Sequence, residues 1–322
     1  MVGVDLGNIE ATLITIISLS TPMVFAVLGE TISEKVGVVN LSLEGSLLIT
    51  ALVGFAVSVI SGYALIGFVS AGFVGGIIAA SLSICDVKLK MNQIAVGFVL
   101  TIFLAKLSSY LGQEYVRVPG PYLPSMKLAL VSDIPVLGEV LFGENIVVLA
   151  AIMSVPIIWY FLYKTKYGLQ LRAVGENPYS AEARGINVEK TKFLYTTIGG
   201  ILIGFGGAAF SLHAKFGWSD GHTTNYGWIA LAIVIFGGWN PVRCVSGVYM
   251  FGALQALAFK LQSVTLGLSQ VLPLIPFPLM ILTLVAIQIA NQRDVKWMPR
   301  FIKVMILGNQ PQSLGVTFNK DG

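Results

Sequence analysis

Charge is what this sequence has least of. Only 11% of its 322 residues are Asp, Glu, Lys or Arg, against about a quarter in a soluble domain. Cysteine and histidine are scarcer still: Cys85, Cys244, His213 and His222 are all there are. So few, so scattered, they exclude a disulfide framework and a zinc site. No metal and no cofactor is expected. With no acids paired to a histidine and no activated nucleophile, a membrane-embedded enzyme is disfavoured and no catalytic residue is expected. No glycine-rich loop carries the lysine that cradles ATP phosphates, so ATP must bind elsewhere. Met1–Asn8 contain no Lys or Arg. Without that basic region, the apolar run at 9–28 reads as a retained span and not a cleaved leader.

What is present is apolar. Hydrophobic residues make up 55% of the chain and the mean hydropathy is +0.81. A globule of this length could not hide so much apolar surface, so part of it must face lipid. A span needs about 20 mainly apolar residues. Nine such runs fall at 9–28, 41–60, 63–84, 93–112, 145–163, 195–214, 228–239, 244–262 and 273–290. The run at 228–239 is short, so it begins earlier or is a broken helix, and the count could be eight or ten. Runs this long are helices, not barrel strands. The expected fold is an all-α polytopic bundle, one membrane domain over 1–322.

The net charge of +4 marks orientation and not a nucleic-acid partner. Lys and Arg concentrate in the loop at 164–194, the tail at 291–322 and the short loop holding Lys88 and Lys90. Placing these inside puts the N-terminus and the loop at 113–144 outside. Only Arg117, Lys127 and Lys215 then fall outside, while Lys106 and Lys260 lie within spans. The outer loop is net acidic and rich in turn formers such as Pro119, Gly120 and Pro121.

Polar or helix-breaking residues at membrane depth carry the information. Residues 29–45 read GETISEKVGVVNLSLEG, and Glu44 lies just inside the second apolar run. A carboxylate in lipid costs about 3 kcal/mol or more, so it should face protein or water. The segment reads as an interrupted helix beside a cavity, or as a cytoplasmic turn with ordinary caps. A second break is FGGWNPVR at 236–243. Asn40, Glu44, Asn92 and Asn240 are the candidates for pathway polarity, against the plainer reading of helix–helix hydrogen bonds. In the inside loop, Asn177 can cap a helix whose first turn holds Pro178 and which Gly185 stops. That predicts a short isolated helix at the inner face, marginal unless something holds it.

These segments together resemble the nucleoside and simple-sugar permeases of bacterial ABC importers, within the branched-chain amino acid and ribose permease superfamily. The resemblance rests on residues 29–45, on AVGENPYSAEARGINV at 173–188, on ALAIVIFGGWNP at 230–241, and on Pro311, Leu314, Gly315 and Phe318. Glu30 and Ser42 depart from it, since many relatives have glycine there. It implies a permease that dimerises around one pathway, with a second related permease or with itself. Its partners would be a cytoplasmic ABC ATPase and an extracytoplasmic substrate-binding lipoprotein. The helix near 177–185 would be the coupling helix, with Glu176, Asn177, Ala181, Glu182, Ala183 and Gly185 meeting the ATPase. The implied activity is import of a small polar solute by alternating access. The rival reading is an ion-coupled secondary transporter using Glu44, which leaves the structured inner helix unexplained.

Overall fold

A computed structural model of the chain describes residues 6–121, 123, 145–262, 278, 282 and 310–319. It contains ten α-helices among the described residues: α1 Leu6–Lys35, α2 Leu43–Ser61, α3 Ala64–Val87, α4 Gln93–Leu111, α5 Ile146–Lys164, α6 Lys166–Glu176, α7 Pro178–Ala183, α8 Val188–Ala209, α9 Tyr226–Phe236 and α10 Pro241–Gln262. No strand occurs among these residues. An isolated bridge joins Val116 and Trp218.

Among the described residues, seven helical stretches are long and apolar enough to cross a bilayer: Glu10–Lys35, Leu43–Ser61, Ala64–Val87, Gln93–Leu111, Ile146–Lys164, Val188–Ala214 and Pro241–Lys260. The expected ninth span at 273–290 lies outside the described residues except for 278 and 282, and most of the loop at 113–144 beyond residue 121 and the tail up to residue 309 lie outside them too. The run expected at 228–239 is an eleven-residue helix, α9. At 1.5 Å per residue it is about 16 Å long, half a hydrocarbon core.

The first span does not stop at residue 28. Gly29, Glu30, Thr31, Ser33 and Glu34 all belong to α1, and the break falls at Val36–Ser42. Two things let the helix run on. Thr31 and Ser33 return their hydroxyls to the carbonyls of Val27 and Gly29. The acids point into protein: Glu30 and Glu34 are both buried.

Helix α8 is the axis of the bundle, packed by α1, α2 and α3. Its glycines set the spacing. A Cβ on Gly199 would lie 2.5 Å from the Gly29 carbonyl oxygen of α1, and one on Gly200 would lie 2.4 Å from that of Gly75 on α3. In lipid no solvent drives helices together, so backbone approach of this kind supplies the cohesion. The outer faces of α3, α4 and α5 expose Val69, Phe73, Ile77, Phe98, Ile102, Phe103 and Ile157, apolar side chains fit for acyl chains.

The basic loops share one end of the bundle. Lys90 pairs with Glu189 at 3.6 Å and donates to the Phe318 carbonyl at 2.7 Å. Ser313 bonds to Gly175. This is the end that the charge pattern of the sequence predicts to face the cytoplasm. At the other end Val116 meets Trp218.

Candidate functional site

The connector between α1 and α2 climbs into the bundle. Val39 donates its N–H to the side chain of Gln93, the first residue of α4, at 2.8 Å. Leu41 packs against Gly97, and Gly45 against Thr101 and Leu104. Counting along α4, Glu44 therefore lies about 12–16 Å beyond the start of that helix. It is a carboxylate at mid-depth.

There it meets the start of α9. Oε1 accepts from the Asn225 N–H at 2.6 Å and Oε2 from the Gly227 N–H at 2.8 Å. The first N–H groups of a helix have no internal partner and carry partial positive charge. A carboxylate from α2 is thus the N-terminal cap of the half-length helix. Asn225 turns the chain into α9 in the left-handed region, φ 72°, which Asn tolerates better than most residues. Gly227 must be glycine for the approach, since a Cβ would lie 2.4 Å from the Glu44 Cα.

A second buried polar cluster lies one turn below. Asn40 is 1% exposed. Its N–H donates to Glu30 Oε1 at 3.4 Å, and its Oδ1 accepts from the Ser42 hydroxyl at 2.5 Å. Glu34, one turn on from Glu30, accepts from the indole N–H of Trp239. Glu30 Oε2 is fully buried with no hydrogen-bond partner. The connector at 36–42 is thus buried and crowded with acids, not a plain surface turn.

Asn92 and Asn240 do not join this cluster. Asn92 is exposed and caps α4, accepting from the N–H groups of Ile94 and Ala95. Asn240 opens α10, accepting from the Val242 N–H at 3.1 Å. Both have the local bonding that favours asparagine at helix starts.

At the basic end, α7 is short but not isolated. Helix α6 precedes it directly and α8 begins five residues after it ends. Asn177 caps it, accepting from the Ser180 N–H at 2.9 Å. Glu182 reaches forward to the Val188 N–H at 3.1 Å, capping α8 in turn. Ala181 faces the core at 4% exposure, whereas Glu176, Ala183 and Gly185 are exposed. Gly185 has φ +83°, and a Cβ there would meet nothing within 4 Å.

Sequence reading missed three features. Lys192 and Asp86, counted only as loop charges, form an ion pair at 3.2 Å with both side chains 1% exposed. His213 is buried between Ser18 at 3.1 Å and Asn145 at 2.7 Å. Residues 310–319 pack under the basic end, although their earlier motif value lay in four positions only. No local signal marks the first two, because the partners are far apart in sequence.

A cavity of about 650 Å³ opens at the end away from the basic loops, among Phe25, Tyr63, Phe68, Pro121, Leu123 and Phe205. Its apolar lining offers little to orient a polar solute. At the same end His222 Nδ1 faces the Ser219 carbonyl at 2.9 Å, while Nε2 is buried without a partner. Burial pulls this imidazole down from 6.5 to about 4, and the neighbouring Lys215 adds to the effect. The folded state therefore favours the neutral ring. The stability this confers is complete above the unfolded value near 6.5 and is lost as pH falls toward 4. A midpoint near 4 is expected from NMR titration of the labelled ring; a midpoint of 6.5 or more would refute the buried placement.

The family model described as branched-chain amino acid transport system, permease component, matches residues 12–284. A Haloferax volcanii protein provisionally named as a glucose ABC transporter permease is 37% identical over 83% of this chain and 82% of its own length. A nucleoside ABC transporter permease of Lactococcus lactis, NupC, is 30% identical over 74% of this chain and 79% of its own. A second nucleoside permease of that organism, NupB, is 29% identical over 34% of this chain and 31% of its own. No solved structure matches.

Proposed function

Because the chain belongs to the branched-chain amino acid transport system permease family, a multi-pass membrane permease, we propose that it is the membrane subunit of an ATP-driven importer. Its cargo is a small polar solute, a nucleoside or a simple sugar. The relatives' names speak for that class. Two different permeases of one organism match this chain, which favours pairing with a second, related permease over self-pairing. A substrate-binding lipoprotein delivers the solute from outside.

The observation that carries the reading is the exposed turn after α7. It is capped on both sides, anchored by buried Ala181 and Pro178, and open around Gly185. Such a projection suits insertion into a groove of a cytoplasmic ATPase. Hydrolysis belongs to that partner. The two inner clusters, through Glu44 and through Glu34 with Trp239, tie α1, α2 and α9 together, so movement at the inner face reaches mid-depth. Alternating access requires the partner to bind the two states differently.

Gly185→Trp tests the interface. A Cβ at this position meets nothing within 4 Å, so membrane insertion should persist while co-purified ATPase and solute uptake are lost. Gly185→Ala carries the same left-handed strain, about 1–2 kcal/mol, with little bulk, and should keep both. Normal uptake by Gly185→Trp would end the coupling assignment. Comparing labelled nucleoside with labelled glucose in the same vesicles assigns the cargo.

A further inference from the structure

We infer that residues 311–318 are a clamp that makes the ATPase-facing hairpin and the deep α1–α2 connector move as one piece. The inference rests on the coupling role proposed for α7 and names the element that transmits it.

The last carbonyls of a helix lack internal partners, and at the end of α6 the segment supplies them. The Ser313 N–H donates to the Gly175 carbonyl at 2.9 Å. Its hydroxyl donates to Gly175 at 2.7 Å and Val174 at 3.1 Å. Two residues on, the Gly315 N–H donates to the carbonyl of Gly37, in the connector, at 3.3 Å. Gly37 has φ +93°, and a Cβ there would meet Ser313 Oγ at 2.8 Å.

Two lysines hold the rest of the segment. Lys192 of α8, already paired with Asp86, donates to the Val316 carbonyl at 3.1 Å. Lys90, in the α3–α4 loop, donates to the Phe318 carbonyl. The Phe318 ring, 4% exposed, lies 5.1 Å from the ring of Tyr179 on α7. One short stretch therefore touches α6, α7, the connector, the α3–α4 loop and α8. Directly, the α6–α7 hairpin meets the junction of α1 and the connector, where Gly175 lies against the backbone of Lys35 and Val36. The clamp doubles that joint and fixes its angle.

The test uses the full transporter, purified with its ATPase and binding protein and placed in proteoliposomes. Wild-type chain that brings no ATPase would sink the coupling reading itself, before any variant is examined. With the wild-type complex in hand, Ser313→Ala and Phe318→Ala should keep the ATPase bound and ATP hydrolysis within about twofold. Solute moved per ATP should fall about tenfold, within the range of coupling factors between sites. An unchanged ratio overturns the clamp. So does loss of the ATPase from either variant, because the segment would then be a prop for docking.

A second measurement avoids folding losses in the variants. Spin labels on Gln170 of α6 and Gln312, both exposed, should keep their separation when ATP binds. A change beyond about 5 Å, one helical turn, would show that the two move apart and overturn the inference.

Discussion

Glu44→Ala is expected to lower the detergent-solubilised protein's melting temperature and to abolish uptake together. The substitution strands the buried N–H of Gly227, worth about 1–3 kcal/mol when left unpaired, and takes the acceptor from the N–H of the exposed Asn225. It also removes the negative group facing the positive end of α9. Glu44→Gln keeps an acceptor oxygen but not the charge, and should fall between. The pairing of effects matters. A glutamate whose work is to touch solute would lose uptake at unchanged melting temperature. A cap loses both. Wild-type melting and uptake in Glu44→Ala would show that α9 needs no carboxylate at its start.

Gly200→Val has the larger structural effect. Its Cβ would lie 2.3 Å from the Ala79 Cβ and 2.4 Å from the Gly75 carbonyl oxygen, and neither is the flexible end of a side chain. Helices α3 and α8 would have to part, and α8 also holds α1 and α2 through its other glycines. Overpacking costs about 1–3 kcal/mol where side chains can shift; here only backbone can. The detergent extract should run as aggregate on size exclusion, with little folded monomer or complex. A monodisperse peak at wild-type yield would mean that the crossing is looser than drawn.

Most of the architecture was legible because lipid imposes a length. Each described span overlaps an apolar run, and even the shortness of α9 was visible in the run at 228–239. One helix start was legible too, since Asn177 precedes a helix and bonds to one of its first N–H groups; Asn92, read as pathway polarity, does the same for α4. The end of α1 was misplaced for a physical reason. Glycine, threonine and acids argue for a break when local preference is all one has, but burial against Gly199 and Trp239 overrides it. The pathway candidates scattered for a related reason. Asparagine at membrane depth satisfies helix ends as readily as it faces a ligand, and sequence cannot separate these uses. The bonds of Lys192, Lys90 and Ser313 join residues more than a hundred positions apart, where no window-based pattern reaches.

The same separation has a consequence for how the protein is made. Residues 311–318 leave the ribosome only after every element they hold has been synthesised. Helices entering the bilayer one after another must therefore wait with the Val174 and Gly175 carbonyls uncapped and Lys192 reaching no Val316. The inner face is closed last, by the late-emerging chain, so a stalled or clipped nascent product would be fully inserted yet unfinished on the side where quality-control proteases search.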